Sequence, residues 1–190
     1  MTDLLFLPVD LPKFPVESLS TDTEVQWLFW NFKKLTEDRP SPYDKTLFKI
    51  GVSSEILEWM YLLPYKTIRN VKFNIQQSAV MPHMDFTNPD GNPELHQNNT
   101  ENEPCGFRVL IKGSKQNKLY VIKSNGEKFY PQIAEDTDTY VLRHTNGMHG
   151  VEFEEDRQTL FMHFEIDAVK HQELIERSLS KYREYAVWDK

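Results

Sequence analysis

Apolar residues recur at helical spacing in two segments near the start of the chain. The first follows a capping-box sequence at residues 21–24, in which a hydroxyl and a carboxylate three residues apart can satisfy backbone donors. Its apolar residues, spaced by three or four, are Val25, Leu28, Phe32 and Leu35. Pro40 ends this pattern, and a second, shorter helix is predicted over residues 54–62, before Pro64. Both helices are expected to brace another part of the molecule.

From residue 67 onward the period changes to two, which predicts β-strands. Val71, Phe73 and Ile75 alternate with more polar neighbours, and this run continues toward Met81. The predicted strands are residues 67–81, 107–112, 118–123, 139–143, 150–153 and 159–166. No segment of helical length separates them, which favours an antiparallel sandwich or jelly roll over a parallel α/β sheet.

The last part of the chain returns to the helical period. Asp167 is a predicted N-cap, and the apolar positions after it are Ile175, Leu179, Tyr182 and Ala186. His171 is expected on the exposed side of this helix. The predicted fold class is therefore α+β with a mainly β core. We expect a single domain over residues 1–190, with a helical part (1–66), a jelly-roll core (67–166) and a C-terminal helix (167–190).

Composition and charge narrow the function classes. The chain has 190 residues, of which 39% are hydrophobic, so it can bury a core. Its 22 Lys and Arg residues against 29 Asp and Glu residues give a net charge of -7 without a long basic run, so a nucleic-acid partner is not expected. No apolar stretch approaches the roughly 18 residues that cross a bilayer. The apolar run at residues 4–7 is ended by Pro8. The single cysteine, Cys105, fits a reducing compartment, so we expect a cytoplasmic protein.

Two side chains that can bind a metal lie at the end of the first predicted strand. His83 and Asp85 are two residues apart, so a strand would place both on one face. An imidazole and a carboxylate, with one further histidine, form the two-histidine, one-carboxylate set that binds non-haem Fe(II) and leaves positions open. His149, which follows a turn and precedes a strand, is the predicted third ligand. His144 is an alternative, although the glycine-flanked turn favours His149.

The last predicted strand has two faces with different chemistry. One face contains only apolar residues, namely Leu160, Met162, Phe164 and Ile166. The opposite face contains Arg157, Thr159, Phe161 and His163. Arginine presents a planar fork of donors that matches a carboxylate, and threonine adds another donor. This second face therefore predicts an anion site. The acidic residues just before it, at positions 152–156, are expected to form a solvated hairpin.

The order of these residues resembles a known superfamily. His83-x-Asp85, His149 and Arg157-x-Thr159 are similar to the motifs of the double-stranded β-helix oxygenases that depend on Fe(II) and 2-oxoglutarate. Three short segments also look like the aspartyl/asparaginyl β-hydroxylase and prolyl-hydroxylase branches, namely residues 107–111, 140–142 and 149–151. The resemblance covers roughly residues 70–166 and implies a jelly-roll or cupin-like double-stranded β-helix, braced by the N-terminal and C-terminal helices.

The resemblance also implies a set of residue roles. His83, Asp85 and His149 would bind the iron, and Arg157 with Thr159 would grip the distal carboxylate of 2-oxoglutarate. The cofactors implied are Fe(II) and 2-oxoglutarate as cosubstrate, with ascorbate as an optional addition. Arg108 is an alternative clamp for the cosubstrate, because the spacing between the distal histidine and Arg157 is short for the superfamily.

A dioxygenase of this kind would hydroxylate a C–H bond while 2-oxoglutarate is decarboxylated to succinate. The expected substrate is a peptide or protein side chain, or else an amino acid. Residues 87–104 form a polar loop that leaves directly from Asp85, so we expect it to act as a lid that selects the substrate. Two other classes use the same core: a cupin-like metalloenzyme that does not use 2-oxoglutarate, and a non-catalytic jelly-roll binding module.

Overall fold

The computed structural model describes residues 3–19, 29–31, 53–76, 79–83, 106–116, 118–142 and 147–189. The strands are β1 (Asp3–Pro8), β2 (Phe29–Asn31), β3 (Tyr65–Ile75), β4 (Val80–His83), β5 (Gly106–Lys112), β6 (Leu119–Ile122), β7 (Lys128–Phe129), β8 (Thr139–Leu142), β9 (His149–Val151), β10 (Gln158–Ile166) and β11 (Val187–Asp189). The helices are α1 (Ser54–Met60) and α2 (Ala168–Tyr182), and short 3-10 turns cover Val16–Ser18 and Arg183–Tyr185.

These strands form two antiparallel sheets. The large sheet has seven strands in the order β11-β1-β8-β5-β10-β3-β2, and the small sheet has four in the order β4-β9-β6-β7. Every strand pairing within them is antiparallel. The fold is therefore α+β with a mainly β core, as the sequence predicts.

Two apolar clusters fix how the layers pack. One joins the large sheet to the helices and includes Met60, Val109, Leu160 and Leu174. The other contains Leu110 and Tyr140 of the large sheet together with Leu119 and Val121 of the small sheet, so it lies between the sheets. Burial of apolar surface stabilises folding by about 25 cal/mol per Å². The small sheet is therefore held against one face of the large sheet, and the helices against the other.

Helix α2 begins where the sequence predicts. The Asp167 carboxylate accepts hydrogen bonds from the backbone N–H groups of Val169 and Lys170, at 3.2 and 3.3 Å. These bonds satisfy donors that the first turn of a helix leaves without partners. Ile175 and Tyr182 are buried, as expected. The prediction for His171 is wrong, because this side chain is 1% exposed and packs edge-on against Phe107 of the large sheet, with ring centroids 6.1 Å apart.

One helix prediction fails where it can be checked. The apolar spacing predicted a helix through Leu35, but Phe29–Asn31 form strand β2, which pairs with β3. The partner of Trp30 is Val71, so cross-strand pairing decides the conformation here over local periodicity. The four apolar residues on which that helix was predicted lie outside the described residues.

Strand prediction was more accurate in the middle of the chain than at its ends. The six predicted strands are confirmed with ends shifted by a few residues, except that the first is divided into β3 and β4. Strands β1, β7 and β11 were not predicted. β1 and β11 pair with each other, so each depends on a partner far away in sequence. Within the described ranges, no helix combines the length and the apolar character that crossing a lipid bilayer requires.

Candidate functional site

Two of the predicted ligands face each other across neighbouring strands. His83 is the last residue of β4 and His149 the first residue of β9, and the two are direct partners in the antiparallel pairing. Their ring centroids are 4.6 Å apart, with the ring planes at 53°. His149 is 2% exposed, whereas His83 is exposed. The small sheet therefore brings together one buried and one accessible imidazole.

Backbone carbonyls define which nitrogen of each ring carries the proton. His83 Nδ1 lies 2.8 Å from the Met81 carbonyl oxygen, and His149 Nδ1 lies 3.1 Å from that of Gly147. A carbonyl oxygen can only accept, so each Nδ1 is the donor in these contacts, and the neutral form of either ring then has its lone pair on Nε2. In metal-binding histidines one ring nitrogen commonly donates its hydrogen to a carbonyl oxygen, and the other ring nitrogen binds the metal. In the neutral form, each imidazole would therefore bind a metal through Nε2.

This donor set fits a transition metal. Imidazole nitrogen suits Fe, Zn, Cu and Ni, and the two rings lie side by side, with centroids 4.6 Å apart. In the part of the chain that the structure describes, no three His, Cys, Asp or Glu side chains form a group that could hold a metal ion. The predicted carboxylate ligand, Asp85, lies outside that part, as do His144 and residues 87–104.

Arg108 of β5 contacts the same histidine. Its Nη2 lies 3.3 Å from His149 Nε2, so the guanidinium donates to the lone pair that a metal would use. The guanidinium carbon also lies 4.8 Å from the centroid of the Phe161 ring. Phe161 and Tyr140 are the cross-strand partners of Arg108 on the two neighbouring strands. Arg108 therefore extends from the middle of the large sheet to the small sheet, beside His149.

Arg157 and Thr159 are both buried, at 5% and 6% exposure. Thr159 pairs with Leu110, which belongs to the cluster between the sheets, so this face of β10 is directed toward the small sheet. Its opposite face packs on the helical side, where Leu160, Met162 and Ile166 belong to the other cluster. The two faces that the sequence predicted for this strand are confirmed at these positions.

The surroundings of Arg157 hold its guanidinium in the interior. Nη2 donates to the Tyr140 hydroxyl at 3.3 Å, and Nε lies 3.9 Å from Glu154 Oε2. The other carboxylate oxygen of Glu154 accepts from the Ser114 backbone N–H at 2.8 Å. Burying a cation is costly unless hydrogen bonds and an opposite charge compensate. The Tyr140 hydroxyl and the partly buried Glu154 carboxylate supply part of this compensation in the Arg157 pocket.

A tight turn delivers Arg157 to this position. Asp156 has a positive φ of 59°, a left-handed conformation that aspartate adopts more readily than most residues. The Arg157 N–H donates to the Glu154 carbonyl at 3.2 Å and closes the turn. Gly113 leaves room beside it, since an added Cβ would lie 3.2 Å from Arg157 Cγ. Residues 152–156 form a mainly exposed turn, as the sequence predicts, although Glu154 is partly buried and lies beside Arg157.

Sequence reasoning missed two residues of this pocket. Tyr140 and Glu154 both contact the Arg157 guanidinium. Tyr140 lies in a strand whose four residues are all buried, so alternation could not show which of its faces lines the site. Glu154 lies in an acidic run, and its role depends on a turn whose geometry the sequence does not display.

Comparison with family models, curated proteins and solved structures found no match to this chain.

Proposed function

We propose that this chain is a non-haem Fe(II)- and 2-oxoglutarate-dependent dioxygenase that hydroxylates a C–H bond. The observation that carries the proposal is the His83–His149 pair, with its two Nε2 lone pairs, on the small sheet that packs against the face holding Arg157 and Thr159. The two imidazole nitrogens can bind a metal ion, and the separate buried guanidinium can bind one carboxylate of a dicarboxylic acid. The supporting resemblance is that of the motif order His83-x-Asp85, His149 and Arg157-x-Thr159.

The strand order supports a double-stranded β-helix as the fold. Between β3 and β10 the large sheet takes β3, β5, β8 and β10, and the small sheet takes β4, β6, β7 and β9. Eight strands divided in this alternating way between two facing sheets are typical of a jelly roll. In this reading β1, β2 and β11 extend the large sheet beyond the eight-stranded core.

Each residue has a defined task in the proposed site. His83 and His149 hold the metal through Nε2, and Asp85 supplies the carboxylate ligand. Arg157 pairs with the distal carboxylate of 2-oxoglutarate while Tyr140 holds the guanidinium in place, and Thr159 provides a further hydroxyl donor. When bound, the iron supplies oxygen activation coupled to the decarboxylation of 2-oxoglutarate to succinate. The buried position of Arg157 and Thr159 excludes water from the charged end of the cosubstrate.

The substrate proposed is a peptide or protein side chain, or an amino acid. His83 is on the exposed side of the pair, so a large substrate can approach the site from there. The polar residues 87–104 follow the predicted ligand Asp85 in sequence and are the proposed substrate-selecting lid. This part of the proposal rests on their position along the chain.

A metal-free binding module for anions is the second candidate. One observation favours it: Arg108 donates to His149 Nε2, which makes the histidine a hydrogen-bond acceptor for a cation. In such a module Arg108 and Arg157 would together bind an anion between the sheets. A cupin-like metalloenzyme that does not use 2-oxoglutarate would have no need for Arg157 and Thr159 as a buried pair.

Succinate formation and oxygen consumption separate these candidates. The purified protein is supplied with Fe(II), 2-oxoglutarate and ascorbate, and both quantities are followed with and without a peptide mixture as substrate. The proposal predicts succinate in step with oxygen uptake, abolished in His149→Ala and retained in Met81→Ala, which alters an exposed neighbour on β4. Iron binding without succinate would favour the cupin-like enzyme, and binding of 2-oxoglutarate without iron would favour the module.

A further inference from the structure

We propose that Arg108 couples metal binding to anion binding. In the free protein its guanidinium occupies the metal-binding nitrogen of His149, and it moves onto an anion when a metal and a carboxylate bind together. This inference rests on the proposed function, because it concerns the same two histidines. It adds a positioning residue that neither the ligand set nor the cosubstrate clamp requires.

The first step is that His149 offers one lone pair. Its Nδ1 donates to the Gly147 carbonyl at 3.1 Å, so Nε2 is the nitrogen that can bind a metal. Arg108 Nη2 lies 3.3 Å from that atom. A metal ion and the guanidinium cannot share the same lone pair, so binding of one displaces the other.

The second step is that two of the contacts that hold Arg108 do not fix the direction of its N–H groups. Its guanidinium lies over the Phe161 ring, 4.8 Å from the centroid. Cation–π attraction acts on the guanidinium as a whole and does not fix which N–H points where. Because Arg108 lies in the middle of β5, between β8 and β10, its backbone is held in the sheet while the end of the side chain changes partner.

The third step is electrostatic. A divalent ion on His149 Nε2 would sit next to the positive charge of Arg108, and like charges at this range repel. A carboxylate bound to the ion neutralises part of its charge and also gives the displaced guanidinium a stronger acceptor than imidazole. Metal and carboxylate therefore each raise the affinity of the protein for the other, and by linkage the two effects are equal.

The test measures binding of Mn(II), which does not turn over 2-oxoglutarate, by the electron paramagnetic resonance signal of the free ion. Without 2-oxoglutarate, Arg108→Met is expected to bind Mn(II) about tenfold more tightly than the wild type, within the roughly 5- to 150-fold range of coupling between sites. With saturating 2-oxoglutarate this advantage should disappear. Lys112→Met is the matched control, because it removes an exposed cation from the same strand and should behave as the wild type does in both conditions.

Three outcomes overturn the inference. The first is Mn(II) affinity in Arg108→Met that is unchanged or weaker without 2-oxoglutarate, while the wild type still binds both ligands; the proposed function would survive this result. The second is wild-type Mn(II) affinity that does not respond to 2-oxoglutarate. The third is a wild type that binds no Mn(II), which would remove the proposed function as well. Should Arg108→Met fail to fold, Arg108→Leu, which likewise removes both the charge and the N–H donors, is measured with the same expectation.

Discussion

Tyr120 on β6 lies directly opposite Gly150 on β9, and its hydroxyl occupies the space that a side chain at position 150 would need. On the other side, the Val80 carbonyl oxygen is 2.8 Å from the position of an added Cβ. Gly150 is next to His149, so this close approach of β6, β9 and β4 fixes the backbone of β9 beside the histidine.

The first prediction concerns this close contact. Gly150→Ala is expected to push β9 away from Tyr120 and β4, lowering the free energy of unfolding by about 2 kcal/mol, as overpacking does, and weakening metal binding by moving His149. Thermal unfolding and Mn(II) titration measure the two effects. Gly126→Ala is the comparison: nothing lies within 4 Å of its added Cβ, and its positive φ of 82° makes the change a backbone effect alone. Equal metal affinity in both variants would contradict the role given to Gly150.

The second prediction concerns the Tyr140 hydroxyl, which accepts from Arg157. Tyr140→Phe removes that acceptor and leaves the ring in the core. A hydrogen bond to a charged group contributes about 1.5–3 kcal/mol, so we expect the Kd for 2-oxoglutarate to rise about tenfold while Mn(II) affinity stays the same. Calorimetric titration of each ligand measures this. Tyr130→Phe is the matched control, since it removes the hydroxyl of an exposed tyrosine that donates to Glu152.

The third prediction is a pH dependence of stability near the C-terminal helix. Asp10 accepts from Arg177 at 2.7 Å and from Lys181 at 2.9 Å. Burial is the largest single influence and raises the pKa of Asp10, but the hydrogen bonds and charges of Lys181 and Arg177 together outweigh it, so the pKa lies below the usual 3.8. A lowered pKa in the folded state means that this stabilisation is present above the unfolded value of about 3.9 and is lost as the pH falls below it.

Thermal unfolding of the wild type and Asp10→Asn between pH 7 and pH 2 checks this sign. The wild type should be the more stable protein at pH 7, and the difference should shrink as the pH falls below about 4. A difference that stays constant down to pH 2 would show that the Asp10 carboxylate does not act through its charge.

The fourth prediction concerns the start of α2. Asp167→Ala removes the acceptor for the Val169 and Lys170 N–H groups and should lower the free energy of unfolding by about 1 kcal/mol. Asp167→Asn keeps a capping oxygen and should change stability little, as chemical denaturation would show. Equal losses in both variants would mean that the carboxylate charge, and not the cap, stabilises this helix.

The sequence pattern predicted the elements whose conformation is determined by residues close together in the chain. Asp167 and the apolar spacing after it define α2, and the alternation in residues 159–166 defines β10 and its two faces. Where a distant partner decides, the patterns failed: Trp30 is in a strand because it pairs with Val71, and β1 depends on β11. His171 was misjudged because helical spacing does not show how closely Phe107 approaches.

The same distinction between local and distant determinants applies to the candidate site. Period-two alternation and motif order named as candidates His149 on β9, Thr159 on β10 and Arg157 just before β10. They could not show that Arg108 reaches His149 Nε2, or that Tyr140 and Glu154 contact Arg157, because these contacts join strands and turns that are far apart in sequence. The tautomers of His83 and His149 likewise follow from carbonyl positions that only the folded chain sets.

The most direct test of the central claim is a crystal structure of the protein soaked anaerobically with Fe(II) and 2-oxoglutarate. The account predicts one iron bound to Nε2 of His83 and Nε2 of His149 at about 2.1 Å, with the distal carboxylate of 2-oxoglutarate on Arg157. Iron bound elsewhere, or 2-oxoglutarate bound between the sheets with no metal on these imidazoles, would contradict it.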